Sequence, residues 1–273
     1  MAQRTQTIVI APGKCFHGYG NLFKNFKTYT MNTQFKYSIR LISTAAHLKE
    51  AFSLRYRVYQ KYYPLLVAHH KKPCEWDVFD TRSIHLGLYC ENKQVKKMVG
   101  YCRLIIPPRF SNVLFFLLMC KYPSCLKITE EAAQKLAFIQ QLQTVKDNTY
   151  IQSLCSSLEA ENKLYCEASR LIIDEAHRSI LLSSFFITGI FAIGKILDLK
   201  YFFISCTQQH APFYKKFGLE LLPCVAEYGT DLVKKPQVVF GTYLDKLNLL
   251  NTTVENLKIQ MQAYGKISFI KAA

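Results

Sequence analysis

The stretch Glu75-Trp76-Asp77-Val78-Phe79-Asp80 decides how the rest of this chain is interpreted. It carries three carboxylates at spacings of two and three residues, with two aromatic side chains between them. Like charges raise one another's pKa, so a folded protein needs cationic groups beside such a cluster. Arg55 precedes the stretch and Arg103 follows it. We predict that these segments meet in one polar cleft; the alternative is a solvated acidic loop with unrelated arginines.

A later segment, Glu167-Ala168-Ser169-Arg170-Leu171, adds a fourth carboxylate and a third arginine to this set. It lies in an apolar run over 164–173 that predicts a central strand. Further out, the pattern predicts strands over 35–42, 84–90, 97–106, 201–206, 219–225 and 237–242. Predicted helices cover 45–62, 129–145, 151–161, 179–194, 212–217 and 244–263.

This order of elements predicts one α/β domain over residues 35–273, with a mixed sheet and helices on both of its faces. No linker interrupts it, and residues 1–34 read as a variable N-terminal extension. The most apolar segment is 179–194. A membrane-spanning helix needs about 20 residues, so this shorter segment predicts a buried core helix.

The charge balance limits the partners that the chain can have. The chain has 35 Lys and Arg residues against 19 Asp and Glu residues, a net charge of +16. A positive field attracts nucleic acids, membrane headgroups and acidic proteins. The basic residues are dispersed and no nucleic-acid-binding motif is present, so we do not expect a nucleic-acid partner. Peripheral contact with a membrane stays open.

The ten cysteines are scattered singly, without a C-x-x-C pair. This pattern predicts free thiols in a reducing compartment, with neither disulfides nor a structural metal. Residues 8–10 form too short an apolar run for a signal peptide, and we therefore expect a cytoplasmic protein.

Four motifs in order carry a resemblance to a known family. They are Leu54-Arg55-Tyr56-Arg57-Val58-Tyr59, Glu75-x-Asp77-x-Phe79-Asp80, Gly100-x-Cys102-Arg103-Leu104 and Glu167-x-Ser169-Arg170-Leu171. Together they resemble the autoinducer synthases, which make N-acyl-homoserine lactones and are GNAT-fold acyltransferases. The longer form Asp77-x-Phe79-Asp80-x-x-Ser83-x-His85 resembles the related N-acyl amino acid synthases and exosortase-associated acyltransferases. The resemblance covers about residues 37–225.

The resemblance implies a twisted mixed sheet with a V-shaped opening between its central strands. It also implies an acyl group donated by acyl carrier protein, a small-molecule amine as acceptor and no bound cofactor, with acyl-CoA as a possible donor. The chain departs from the family in two respects. Segment 178–183 lacks the glycines that let a helix start bind the CoA pyrophosphate, and the tryptophan usual after the first helix of the lactone synthases is missing. The missing glycines argue against a tight site for the CoA pyrophosphate, and the missing tryptophan favours the N-acyl amino acid branch. A CoA-dependent N-acetyltransferase and a non-catalytic acyl-binding module are the alternatives.

The implied reaction, aminolysis of a thioester, needs a group that takes a proton from the amine. Glu167 is the candidate base; the alternative is a structural carboxylate paired with Arg170 or Arg103. Arg103 is expected to bind Asp77 and Asp80, because its guanidinium group can donate two parallel hydrogen bonds to carboxylates.

The other candidate residues have supporting roles. Arg55 could contact the acceptor or the phosphopantetheine, and His85 either orients Asp80 or is an ordinary core histidine. Side chains expected to line an acyl pocket, unless they are plain core, are Phe115, Leu118, Phe185 and Phe186. Lysines expected to meet the acidic carrier protein are Lys195, Lys200, Lys215 and Lys216.

Overall fold

The computed structural model describes residues 35–42, 44–68, 70, 72–91, 96–107, 148–223, 237–247, 256 and 267–271. Within these residues eight strands form one sheet in the order β6-β7-β5-β4-β3-β2-β1-β8. All neighbouring strands are antiparallel except β4 and β5, which are parallel. The strands are β1 (Phe35–Leu41), β2 (Ser83–Glu91), β3 (Lys96–Ile105), β4 (Tyr165–Ile173), β5 (Tyr201–Thr207), β6 (Glu220–Leu221), β7 (Gln237–Tyr243) and β8 (Ile267–Lys271).

The described helices are α1 (Ala45–Tyr62), α2 (Thr149–Ala160), α3 (Ile180–Ile196) and α4 (Ala211–Lys215). A polar side chain begins each of the three longer helices by accepting a hydrogen bond from a first-turn N–H, namely Thr44 for α1, Asn148 for α2 and Ser179 for α3. Such caps satisfy backbone donors that have no partner inside the helix. Helix α1 ends just before Pro64, and Gly218, with φ +81°, follows α4.

The two faces of the sheet are covered by different helices. Helix α3 packs on one face, where Phe186 and Phe191 are fully buried against β2–β5 and β7. Helix α1 covers β3 and its neighbours on the other face, and α2 covers the β5 side of that same face. The predicted mixed sheet with helices on both faces is therefore confirmed. None of the helices that the structure describes is long and apolar enough to span a membrane.

The parallel strands β4 and β5 part midway along their length. They pair from Tyr165 with Tyr201 to Ala168 with Ile204, and no pair follows. Beyond this point β4 stays with β3 and β5 stays with β7. We call the opening between the two strands the split. It is the V-shaped gap that the resemblance implies.

A bulge lies in β4 at the split. Tyr101 pairs with Ile172 but Arg103 pairs with Ser169, so two residues of β4 face one residue of β3. Arg170 is one of these two and has a φ of +58°. A non-glycine residue in this left-handed region is strained, and such residues concentrate at functional sites. The bulge changes the direction of the Arg170 side chain relative to a regular strand.

The predicted elements agree with the observed ones along most of the described chain, with three differences. Strand β6 has two residues where 219–225 was predicted to be a strand. Residues 244–246 form a 3-10 helix where a long helix over 244–263 was predicted to begin, and strand β8 was not predicted. The predicted helix over 129–145, the extension over 1–34 and most of 247–263 lie outside the described residues.

Candidate active site

The acidic stretch folds onto the sheet as a short 3-10 helix, Val78–Arg82. The Asp77 carboxylate accepts a hydrogen bond from the Phe79 N–H at 2.9 Å, and the Asp80 carboxylate accepts one from the Asp77 N–H at 2.8 Å. This reciprocal capping requires two acidic side chains three residues apart. The spacing of the stretch is therefore explained partly by local structure, before any contact with the arginines.

Three arginines from three different elements bind the three carboxylates of the stretch. Arg55, on α1, contacts Glu75 through Nε and Asp80 Oδ1 through Nη1 at 2.6 Å. Arg103, on β3, binds both oxygens of Asp77 at 2.6 and 2.9 Å and Asp80 Oδ1 at 2.8 Å. Arg170, at the bulge, reaches Asp77 Oδ2 at 2.9 Å and Glu75 at 3.4 Å. We call these six residues the charge network.

Most of the charge network is removed from solvent. The side chains of Arg55, Arg103 and Asp80 are fully buried. Burial alone would raise the pKa of Asp80, but the guanidinium groups of Arg103 and Arg55 outweigh it and hold that pKa far below its usual range. Asp77 and Arg170 are the partly exposed members, with 23% and 15% of their side-chain surface accessible. They form the solvent-accessible edge of the network, and Arg170 lies on β4 beyond the last residue that pairs with β5.

His85 and Tyr101 extend the buried polar cluster behind Asp80. His85 Nε2 lies 2.9 Å from the Asp80 carbonyl, which can only accept, so this nitrogen carries the proton. Nδ1 then accepts from the Tyr101 hydroxyl at 2.6 Å. Burial lowers the pKa of His85 to about 4, despite the opposing charge of Asp80. His85 is therefore a neutral, hydrogen-bonded core residue that supports the Asp80 backbone.

The lowered pKa of His85 predicts a pH-dependent stability. The unfolded chain binds a proton near pH 6.5, whereas the folded chain binds it only near pH 4, so stability falls as the pH drops through this window. Wild type is expected to lose about 2 kcal/mol more than His85→Gln between pH 7 and pH 5. Urea denaturation at the two pH values measures this difference. Equal losses in both proteins would show that His85 does not carry the effect.

Glu167 is a further buried carboxylate, on β4. It lies on β4 between Ile105 of β3 and Phe203 of β5, before the strands part. Its charge acts on Arg82: burial lowers the pKa of Arg82 to about 10, and Glu167 is the largest of the charges that oppose this shift. Arg82 was missed by the sequence analysis, although it ends the acidic stretch's own 3-10 helix. Arg170 and Arg103, the expected alternative partners of Glu167, both bind Asp77.

The C-terminal end of α1 lies over the split. Tyr59 is buried beneath it, with the Arg170 guanidinium 5.7 Å from its ring centre. Tyr63, just past the end of the helix, hydrogen-bonds to Thr207 at the end of β5. Helix α1 therefore extends across the sheet from β3, where Arg55 and Arg103 both bind Asp80, to the end of β5 on the far side of the split.

Tyr214 lies on the opposite face of the sheet from Tyr59. It lies on α4 and belongs to the core cluster beneath α3, whereas Tyr59 belongs to the cluster beneath α1. Its hydroxyl is nevertheless within electrostatic range of Cys206, Cys102 and Tyr59. Burial, followed by these neighbours, raises the pKa of Tyr214 well above its ordinary value, so the phenol stays protonated at neutral pH.

Tyr214 was missed as a site residue, although its segment Ala211-Pro212-Phe213-Tyr214-Lys215-Lys216-Phe217-Gly218 is visible in the sequence. The expected acyl-pocket residues are only partly covered by the structure. Phe186 is fully buried in the core under α3 and Phe185 packs against that core. Phe115 and Leu118 lie outside the described residues. Arg55, expected to contact substrate, is instead fully enclosed by α1 and the acidic stretch.

Comparison with known proteins agrees with this architecture. The acetyltransferase (GNAT) domain family matches residues 54–127, which include Arg55, the acidic stretch and Arg103. Because β4 and β5 part within a mixed sheet covered on both faces, the fold class is that of the GNAT proteins. A search of curated protein sequences gives no match.

Two solved structures are similar over most of the chain. One is FeeM, an N-acyl amino acid synthase from uncultured soil microbes, which is 15% identical with a TM-score of 0.50 over 82% of this chain and 100% of that one. The other is BjaI, a CoA-dependent acyl-homoserine lactone synthase solved with SAM and isopentyl-CoA, which is 13% identical with a TM-score of 0.50 over 80% of this chain and 90% of that one. The predicted resemblance to these synthases is confirmed at the level of the fold. The resemblance to exosortase-associated acyltransferases stays a prediction.

Proposed function

We propose that this chain is an N-acyltransferase that moves a fatty acyl group from an acyl carrier protein thioester to the amine of an amino acid or a related metabolite. The observation that carries the proposal is the split, which Arg170 of the charge network borders on β4. We place Tyr214, whose buried phenol stays protonated, on the other side of the split as the proton donor. Similar folds in an N-acyl amino acid synthase and an acyl-homoserine lactone synthase support the reaction class.

In this proposal the thioester lies in the split and the amine enters from the α1 side. Backbone N–H groups of β4 beyond Ala168 have no β5 strand to pair with, and they can stabilise the oxyanion that develops on the thioester carbonyl. The acceptor approaches the edge formed by Asp77 and Arg170. Arg170 can attract the carboxylate of an amino acid, and Asp77 can attract its ammonium group.

Glu167 takes the proton that the amine loses, through a water molecule, and the amine nitrogen then bonds to the carbonyl carbon. The carbon–sulfur bond breaks, and the leaving thiolate receives a proton from Tyr214. The nitrogen loses its second proton to solvent, Glu167 releases its proton to solvent, and Tyr214 regains one from solvent. The cycle therefore ends with an amide, a free thiol and one released proton, which the ammonium group brought in. Arg103 is buried against Asp77 and Asp80, and we assign it a positioning role for the loop that borders the split.

The acyl chain requires an apolar environment next to the thioester. Helix α3 contributes Phe185 at the edge of the core, and we propose that it forms part of the acyl pocket. Phe186, Phe115 and Leu118 remain candidates for the same pocket. A cytoplasmic location is consistent with a carrier-protein donor and stays a prediction.

The test is mass spectrometry of lipid extracts from a bacterial host that expresses the chain. A new N-acyl amine should appear with the wild type and should be strongly reduced with Glu167→Gln, which keeps the size of the side chain. The product would identify the acyl group and the acceptor together. A folded protein that produces no new lipid, and that is inactive with purified acyl carrier protein and acyl-CoA thioesters, would contradict the proposal and favour a non-catalytic acyl-binding module. Activity with acetyl-CoA alone would favour the N-acetyltransferase alternative.

A further inference from the structure

One end of the sheet is markedly basic, and it is the end at which β4 and β5 part. The strand pairings bring the start of β1, the end of β2, the start of β3 and the end of β4 to this end. Four cationic side chains there form no salt bridge within the described part of the chain. We call them the basic rim: Lys36, Lys96, Lys97 and Arg178.

Three acidic residues at this end are paired with other cations: Glu91 with Arg40, Asp174 with Arg57 at 4.0 Å, and Glu175 with Lys61. A fourth, Glu50, accepts a hydrogen bond from the Met98 N–H beside the rim. The four charges of the basic rim therefore leave an excess of about three positive charges within the described part of the chain. Three of the four side chains are exposed, and Lys96 extends over the ring of Tyr89 with its Nζ 5.2 Å from the ring centre.

The opposite end of the sheet is closed by strand pairing. There β4 and β5 are hydrogen-bonded from Tyr165 to Ala168, so a thioester arm cannot enter the split from that side. Two of the lysines expected to meet a carrier protein, Lys195 and Lys200, lie at this closed end. Lys200 pairs with Asp198, and its backbone N–H bonds to Leu164 just before the first β4–β5 pair.

The start of α3 is poorly suited to hold a nucleotide. The Ser179 side chain occupies the Leu182 N–H of the first turn. The next residue, Ile180, has 61% of its surface exposed to solvent, and no glycine allows close backbone approach. A thioester donor that enters the split at this end therefore gains little binding energy from a pyrophosphate group. Its affinity has to come from another surface, and the basic rim is next to the opening.

We propose that the basic rim is the docking surface for the acidic carrier protein that delivers the acyl thioester. This inference rests on the proposed function, because it assumes that the donor is bound to a protein. Complementary charge raises the rate of encounter and fixes orientation, and its effect falls with increasing salt. A carrier protein seated on the rim would have its prosthetic arm directed into the open end of the split.

The test compares two donors carrying the same acyl group, one on acyl carrier protein and one on pantetheine. In Lys96→Glu/Lys97→Glu the ratio of kcat/KM for the carrier protein to kcat/KM for pantetheine is expected to fall by about tenfold or more at low ionic strength. The matched control is Lys195→Glu/Lys200→Glu, which reverses the same number of charges at the closed end. The ratio in this control should stay close to that of the wild type.

The outcomes separate the docking proposal from the function on which it rests. A wild type that is inactive with both donors overturns the proposed function itself. A wild type that is active with both, together with an unchanged ratio in the rim variant, overturns only the docking surface. If the kcat/KM ratio falls equally in the control variant, the effect comes from net charge, and the docking surface is again overturned. Loss of binding to phosphatidylglycerol vesicles in the rim variant, with the ratio unchanged, would assign the rim to a membrane surface instead.

Discussion

Tyr214→Phe is expected to lower kcat for acyl transfer by roughly 100-fold or more, the usual contribution of a positioned proton donor. The phenylalanine ring keeps the packing of α4 against the core, so the variant should remain folded. The loss comes from the leaving thiolate, which would depart without a proton. The measurement is the steady-state rate of amide formation with purified acyl thioester.

The control for this variant is Tyr165→Phe. Tyr165 is also buried, but its hydroxyl donates to Glu159 at 2.6 Å and lies away from the split. Removing this hydroxyl should leave kcat near the wild-type value. A second measurement uses a thioester with a more acidic thiol, which needs less help in leaving. The defect of Tyr214→Phe should shrink with this donor, and a defect that stays constant would indicate a structural role.

Arg55→Ala is expected to destabilise the protein by about 3–5 kcal/mol, because it removes one of the buried cations that offset the buried carboxylates. Arg55 is fully enclosed. After its removal Asp80 keeps Arg103 and Glu75 keeps Arg170 at 3.4 Å, so three carboxylates share two arginines. This loss is a large part of the stability of an ordinary domain. Urea denaturation at pH 7 gives the free energy of unfolding. Arg55→Lys keeps the positive charge but loses the planar guanidinium group, so its free energy of unfolding should lie between those of the wild type and Arg55→Ala.

The matched control for the buried arginine is Arg40→Ala. Arg40 pairs with Glu91, but about a quarter of each side chain is exposed. Such pairs contribute at most about 1 kcal/mol. If Arg55→Ala costs no more than Arg40→Ala, the charge network does not stabilise the fold, and its role would have to be sought in catalysis alone.

These two experiments probe different parts of the site. The charge network is mainly structural in its buried half, where it joins α1, the acidic stretch and β3. Its partly exposed half, Asp77 and Arg170, borders the split. Buried ion pairs add little net stability compared with apolar residues but strongly disfavour arrangements that separate them. We infer that the network fixes the position of the acidic stretch against the split.

Local sequence rules predicted most of the secondary structure because the signals are short-range. Helix α1 was predicted with its observed bounds, since Thr44 caps it and Pro64 cannot continue it. The pairing of Arg103 with Asp77 and Asp80 was also expected, because clustered carboxylates need a nearby cation. Strand β8 was missed, since its place at the edge of the sheet comes from its pairing with β1, far away in the chain.

The sequence by itself determined the α/β class, the charge network's members and the order of the motifs, because these follow from residue type and spacing. Only the tertiary structure decided that Arg55 is enclosed, that the charge of Glu167 acts on Arg82, and that Tyr214 is buried on the opposite face of the sheet from Tyr59. The physical reason is that burial and approach between distant segments depend on how strands pair and where they part. A bulge at Arg170 and the end of pairing at Ala168 set those positions, and neither has a local signal in the sequence.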